Sequence, residues 1–265
     1  MKYVITGDCH GRFDKFKNLT EDKENTAIII LGDAGCNFYL DDRDNNTKRT
    51  LVDYGYTYYL VRGNHEERPE NIKTMICEYD DSVKNSVFFE KEYPSIKYLI
   101  DGEVYNFNGH TALVIGGAYS VDKYYRLANY KNKRGWSGWF KDEQLTAEEM
   151  NAIEHRYKGQ HFDFVLSHTC PYSYEPTDMF LSFVDQSTVD NSMEKWMDEF
   201  RRAITYNVWA FGHFHNDRVE APHIEMFYND FEDIELLLVR WYKYEESGEL
   251  DWWIHKSPKF YMEKE

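Results

Sequence analysis

The chain has 265 residues, with 31 Lys and Arg against 47 Asp and Glu, a formal net charge of −16. That length suits one large α/β unit with a sizeable core, so we expect residues 1–265 to form a single domain. So acidic a chain lacks the positive field that gathers long nucleic acid, and no run of about twenty apolar residues is present to span a membrane.

Four cysteines lie in no paired spacing, and Met1-Lys2 runs directly into an apolar stretch, so no signal peptide is expected. We therefore expect a reducing, cytoplasmic setting. Short β-rich apolar runs bounded by Gly predict buried strands at 2–6, 27–31 and 57–61, alternating with helices near 12–20, 46–54 and 69–77. This βαβ order predicts parallel strands with crossover helices. Strands near 97–107 and 111–116 read as a hairpin turning at Asn108-Gly109. Thr146 to Tyr157 reads as a helix, with Thr146 as N-cap and Glu149 completing a capping box. A strand over 162–167 follows. Asn191 to Ile204 has helical spacing in Met193, Trp196, Met197 and Phe200, and strands near 207–211, 223–228 and 235–242 close the pattern. The aromatic and Lys-rich tail, Asp251 to Glu265, is expected to pack on the core edge.

Five short clusters of metal-ligand residues sit at the ends of apolar runs. They are Gly7-Asp8-Cys9-His10-Gly11, Gly32-Asp33, Gly63-Asn64-His65-Glu66, Ser167-His168 and Gly212-His213-Phe214-His215. A single Asp-x-His or His-x-His can be an ordinary turn. Loops at the carboxyl ends of strands are where α/β sheets place their chemistry, so five of them can converge on one point. Asp8, His10, Asp33, Asn64, His168, His213 and His215 supply seven oxygen and imidazole ligands. Such a set suits Mn, Fe, Zn or Ni better than Mg or Ca. Two ions about 3.5–4 Å apart, sharing a carboxylate, neutralise the oxygens of a phosphate ester and activate a hydroxide. Cys9 and Cys36, inside the motif loops, read as small buried side chains rather than ligands. His110, His155, His161, His223 and His255 read as structural, and Asp41, Asp42 and Asp44 as a solvated loop.

The spellings GDCHG, GD, GNHE, SH and GHFH, in this order, resemble the calcineurin-like metallophosphoesterases over most of the chain. The resemblance implies a two-sheet β-sandwich flanked by helices, in four αββα layers. It implies two divalent or trivalent transition-metal ions. Asp8, His10 and His215 would hold the first, Asn64, His168 and His213 the second, and Asp33 would bridge. His65 would contact the phosphate and protonate the leaving oxygen, work that suits an imidazole. The first half is spelled like the Ser/Thr protein phosphatases, but their second motif continues as GDxVDRG. Here Cys36 stands in place of the carboxylate that orients the catalytic His, and Asn37 in place of a phosphate-gripping Arg. Another acid, such as Glu66 or Asp41, is then expected to orient His65. The GHFH ending is similar to phosphodiesterase and nuclease branches.

Two segments exceed a minimal version of that fold. Residues 118–141 hold Lys123, Arg126, Lys131, Lys133, Arg134 and Lys141, interleaved with Tyr119, Tyr124, Tyr125, Tyr130, Trp136, Trp139 and Phe140. Cations grip phosphate and rings stack on a base, so this insert, and Arg126 above all, is a candidate substrate contact. Its plainer reading is a structural insert whose cations pair with the acidic surface. Residues 169–191 leave His168 and are a candidate cap. The expected substrate is a small phosphate mono- or diester, nucleotide-like by preference, bound through Asn64, His65 and Arg126. The alternatives are a Ser/Thr-type protein phosphatase and a non-catalytic metal-binding scaffold.

Overall fold

The three predicted opening strands form and pair in parallel. The computed structural model describes residues 1–132 and 138–248. In chain order the elements are β1 (Lys2–Thr6), β2 (Thr26–Leu31), α1 (Asp42–Asp53), β3 (Thr57–Val61), β4 (Met75–Asp80), β5 (Asn85–Glu90) and β6 (Ile96–Tyr98). Next come β7 (Val104–Phe107), β8 (His110–Ile115), α2 (Lys123–Asn132), α3 (Ala147–Tyr157), β9 (His161–Ser167), α4 (Ser192–Ala203) and β10 (Thr205–Phe211). β11 (Arg218–Ala221), β12 (Ile224–Met226), β13 (Glu232–Asp233) and α5 (Ile234–Ser247) complete the order.

Two sheets result. One runs β13-β1-β2-β3-β6-β5-β4 and the other β11-β12-β10-β9-β8-β7. Each has four parallel strands, β1-β2-β3-β6 and β12-β10-β9-β8, with antiparallel strands at the edges. Strands covered on both faces read as continuous apolar runs rather than alternating ones, which is why they were legible. Between the sheets, Ile5, Ile29, Leu31 and Val61 meet Phe107, Val114, Phe164 and Ala210. The outer face of the first sheet packs Ile28, Ile30, Tyr58 and Leu60 against Phe13, Phe16 and Leu51. The outer face of the second packs Val165, Trp209 and Phe211 against Ile153, Met193, Met197 and Phe200 of α3 and α4. These are the four expected layers: helix, sheet, sheet, helix.

Local chemistry set the helices and turns that were predicted. Thr146 caps α3 through its side chain, and Glu149 reaches back to complete the box. Asn108 and Gly109 both have positive φ, 56° and 96°, as a primed two-residue hairpin turn requires. The loop after β3 departs from expectation. The helix expected near 69–77 is a single 3-10 turn, Pro69–Asn71, followed by β4, which pairs with β5 from Met75↔Glu90 to Asp80↔Asn85. The helix near 12–20 shrinks to a 3-10 turn, Asp14–Asn18, with no side-chain cap. The strand expected over 97–107 divides between the two sheets, as β6 and β7, at a bend through Asp101 and Gly102. The strand expected at 235–242 is helix α5. Ile234, Leu237, Leu238 and Trp241 are its buried side, Asp233 caps its start and Gly248 ends it in a left-handed turn. Lys133, Arg134 and Trp136 of the insert and the tail 251–265 lie outside the described residues. No helix among the described residues is long and apolar enough to cross a membrane.

Candidate metal centre

All five motif loops leave the carboxyl ends of parallel strands, β1, β2, β3, β9 and β10, and they meet where the two sheets face each other. The loops are tight enough to force unusual backbone. His10, Asp33, His213 and His215 all have positive φ, 48°, 47°, 67° and 56°. Such conformations cost of order 1–3 kcal/mol each in a non-glycine residue and persist where the surroundings over-determine them. Glycine makes the closest approaches possible. A Cβ on Gly63 would lie 1.9 Å from Asp33 Oδ1, and one on Gly32, whose φ is +93°, would lie 2.0 Å from His168 Nδ1.

The predicted residues come together in two overlapping groups, Asp8 with His10 and His215, and Asp8 with Asp33 and His168. Within each group the ligand atoms lie within 4.8 Å of one another. His10 Nε2 and His215 Nε2 face each other at 2.8 Å, and Asp8 Oδ2 lies 3.2 Å from His215 Nε2 and 3.6 Å from His10 Nε2. Asp33 Oδ2 is 3.9 Å from His10 Nδ1, 3.6 Å from His168 Nε2 and 4.0 Å from His65 Nε2. It therefore faces members of both expected ligand sets. Asn64 Oδ1 sits 2.9 Å from His168 Nε2. His213 joins neither group. Its ring lies 5.0 Å from that of His168, edge to face, and its backbone N–H donates to Asp8 Oδ1.

The residues fit a bound metal cation. Asp33 Oδ2 is buried with no hydrogen-bond partner, and Asp8 Oδ2 is buried with only the His215 imidazole beside it, 3.2 Å away, an arrangement that costs roughly 1–3 kcal/mol or more per group unless a positive charge answers it. His168 donates from Nδ1 to the Leu31 carbonyl at 2.8 Å, so its Nε2 presents a lone pair. Asn64 Oδ1 also presents lone pairs. Two acceptors facing at 2.9 Å are attractive only with a cation between them. Burial lowers His10 to about 4 and His213 to about 3, and lowers His168 as well, which keeps these imidazoles neutral as ligands must be. His215 is raised by the Asp8 carboxylate beside it. Burial, then the charge of Asp8, pushes Asp33 well above the usual carboxylate range. Burial would raise Asp8 too, but the hydrogen bond from His215 holds it low.

His65 stands at the rim. Its backbone N–H donates to Asp33 Oδ1 at 2.8 Å, and its ring lies 5.7 Å from that of His10. Neither acid expected to orient it does so. Glu66 is buried and accepts from the Gly35 and Gly63 amides, and Asp41 pairs with Arg43. His65 Nδ1 is buried without a partner; the ring is flanked instead by Phe38, 6.0 Å away. Cys9 and Cys36 are buried and outside both groups, and burial raises both thiols. Asn37 is buried, with no cation to offer a phosphate.

The residues that hold the ligands in place were passed over at the level of sequence. Lys15 donates to the carbonyls of Gly7, Asp8 and Tyr228, and the Tyr228 ring stacks 5.0 Å from His215. Their only signal is three-dimensional. The insert reaches the rim: Arg126 is held by Asp122 and the Gly138 carbonyl, with its guanidinium 5.6 Å from the Phe38 ring. The segment 169–191 rests on the last motif loop, where Phe180 stacks on Phe214 at 6.3 Å and Asp178 pairs with Arg218.

The sequence profile of the calcineurin-like phosphoesterases matches residues 1–217. No curated protein matches the chain significantly. Among the similar solved structures are two at 13% identity. One, with a TM-score of 0.47, covers 89% of this chain and 95% of its own. The other, described as phosphopantetheinyl hydrolase from Mycobacterium tuberculosis, has a TM-score of 0.46 and covers 86% and 90%. The profile match over most of the chain, on loops that gather the Asp and His residues just described, establishes that this chain belongs to the calcineurin-like phosphoesterase family.

Proposed function

We propose that this chain hydrolyses a small phosphate mono- or diester, nucleotide-like by preference, at a centre of two transition-metal ions. The observation that carries the reading is the convergence of buried carboxylate, amide and imidazole ligand atoms on one point. Asp33 Oδ2 has no partner, Asp8 Oδ2 has only the His215 imidazole at 3.2 Å, and His168 Nε2 faces Asn64 Oδ1 at 2.9 Å. Bound ions would neutralise the ester's oxygens and supply a hydroxide near neutral pH. Asp8, His10 and His215 would hold one ion and Asn64, His168 and His213 the other, with Asp33 between them. Mn, Fe, Zn and Ni all accept such mixed ligands.

His65 would contact the phosphate and protonate the leaving oxygen. Burial, then the charge of Arg126, lowers this imidazole to about 2. The acid role therefore asks the negative ester to lift its proton affinity on binding. Arg126 would grip the remote part of the substrate. Its support is a guanidinium fixed 5.6 Å from the Phe38 ring, which lies 6.0 Å from that of His65, and its sequence neighbours Tyr124 and Tyr125, which are 63% and 72% exposed. Residues 118–141 would thus select the substrate and residues 169–191 would cap the site. A screen of aryl phosphates, aryl phosphodiesters, cyclic nucleotides and dinucleotides against Mn-loaded protein tests this. Turnover of at least one class is expected. Ion binding without turnover of any would leave a scaffold, and preference for a phosphopeptide would favour the protein-phosphatase alternative.

A further inference from the structure

The Asn64 side chain is an amide, and an amide has a wrong way round. Its Oδ1 can ligate an ion and its Nδ2 cannot. Something must fix which end points at the centre. Asn64 Nδ2 donates to Ser120 Oγ at 2.8 Å. Ser120 Oγ in turn donates to Glu143 Oε2 at 2.6 Å, and the Ser120 backbone N–H donates to Glu143 Oε1 at 3.1 Å. Asn64, Ser120 and Glu143 are 1%, 1% and 3% exposed, so water does not compete for these bonds. Both carboxyl oxygens of Glu143 are engaged as acceptors, one by the Ser120 amide and one by its hydroxyl. Glu143 therefore takes the one proton Ser120 can give, the hydroxyl must accept from its other neighbour, and the amide must turn its NH2 group toward Ser120.

We infer that Glu143 and Ser120 are positioning residues that set the polarity of the Asn64 amide, so that Oδ1 faces His168 and the second ion. The relay also closes the base of the insert. Ser120 stands just before α2 and Glu143 just after the segment, and Arg62, two residues before Asn64, donates to the Glu143 carbonyl at 2.8 Å. The segment that carries Arg126 is thereby tied to the ligand loop that follows β3. Outer-sphere partners of this kind are typically worth about 10–100-fold in metal affinity.

The inference rests on the proposal that Asn64 is a ligand, and its test separates the two. Mn2+ is titrated into chelated protein by calorimetry, with melting temperature measured on each chelated variant. Asn64→Ala should lose the second ion. Unchanged Mn2+ binding there would overturn Asn64 as a ligand. If Asn64→Ala loses the ion, Ser120→Ala and the isosteric Glu143→Gln should each weaken the second ion about 10–100-fold while leaving the first. In an Asn64→Asp background, where the ligand has no wrong end, the same two changes should have much smaller effects. Wild-type affinity in Ser120→Ala and Glu143→Gln would overturn the relay, as would losses of equal size in the wild-type and Asn64→Asp backgrounds. A fall in melting temperature with unchanged Mn2+ affinity would show a structural role alone.

Discussion

His65 carries the sharpest consequence at the scale of single residues. It neighbours Asn64 in sequence, yet its Nε2 lies 4.0 Å from Asp33 Oδ2, at the rim of the acceptor cluster. His65→Ala should retain the metals and lose about 10²–10⁴-fold in turnover, the usual contribution of a general acid. The loss should be smaller for nitrophenyl esters, whose leaving group needs no proton. Equal losses across activated and unactivated esters, read from steady-state rates, would leave His65 a phosphate contact only. The gathered ligands were legible in the sequence because Asp, Asn and His at strand ends announce themselves one loop at a time. The residues that hold them did not. Ser120 is 56 positions from the amide it orients, and Lys15 braces the loop through carbonyls that any sequence would supply.

Elements were legible where their pattern was local. The parallel strands, the α3 capping box and the Asn108-Gly109 turn each carry their own signal. The strand reading of 235–242 failed because Leu236 to Tyr242 is apolar enough for a strand, while the decisive cue is the 234, 237, 238, 241 spacing on the buried side of α5. β4 carries no signal of its own because none of its residues is fully buried and its partner, β5, defines it. Two predictions belong at this scale. On α2, Arg126→Ala should raise KM for a nucleotide-like ester more than for a minimal aryl phosphate, since contacts with remote substrate parts vanish only when those parts are present. A lower melting temperature with both KM values unchanged would make the insert structural.

The second concerns α4, beneath the segment 169–191. Burial, reinforced by Glu175, pushes the Glu194 carboxyl from its ordinary 4.5 up to about 8. The folded state therefore favours the protonated form. The stability this contributes is complete below about pH 4.5 and is lost as pH rises through about 8. Glu194→Gln cannot ionise, so it should match the wild type near pH 4.5 and be the more stable protein at pH 8.5, by more than ~1 kcal/mol. Denaturation curves at the two pH values check this. A variant that gains nothing on going to alkaline pH would contradict it.

At the scale of the whole molecule, two sheets deliver their ligand loops to one place. Neither sheet alone completes either acceptor group, since Asp8 and Asp33 follow strands of the first sheet and His168 and His215 follow strands of the second. Ion binding should therefore couple the sheets, and chelation should lower the melting temperature by mass action. The central claim is the pair of ions shared by Asp33. It is tested most directly by elemental analysis of the Mn-reloaded protein beside Asp33→Asn. About two ions per chain are expected in the wild type, with both sites weakened when the shared carboxylate is lost. One ion per chain, or an unchanged pair in Asp33→Asn, would contradict it.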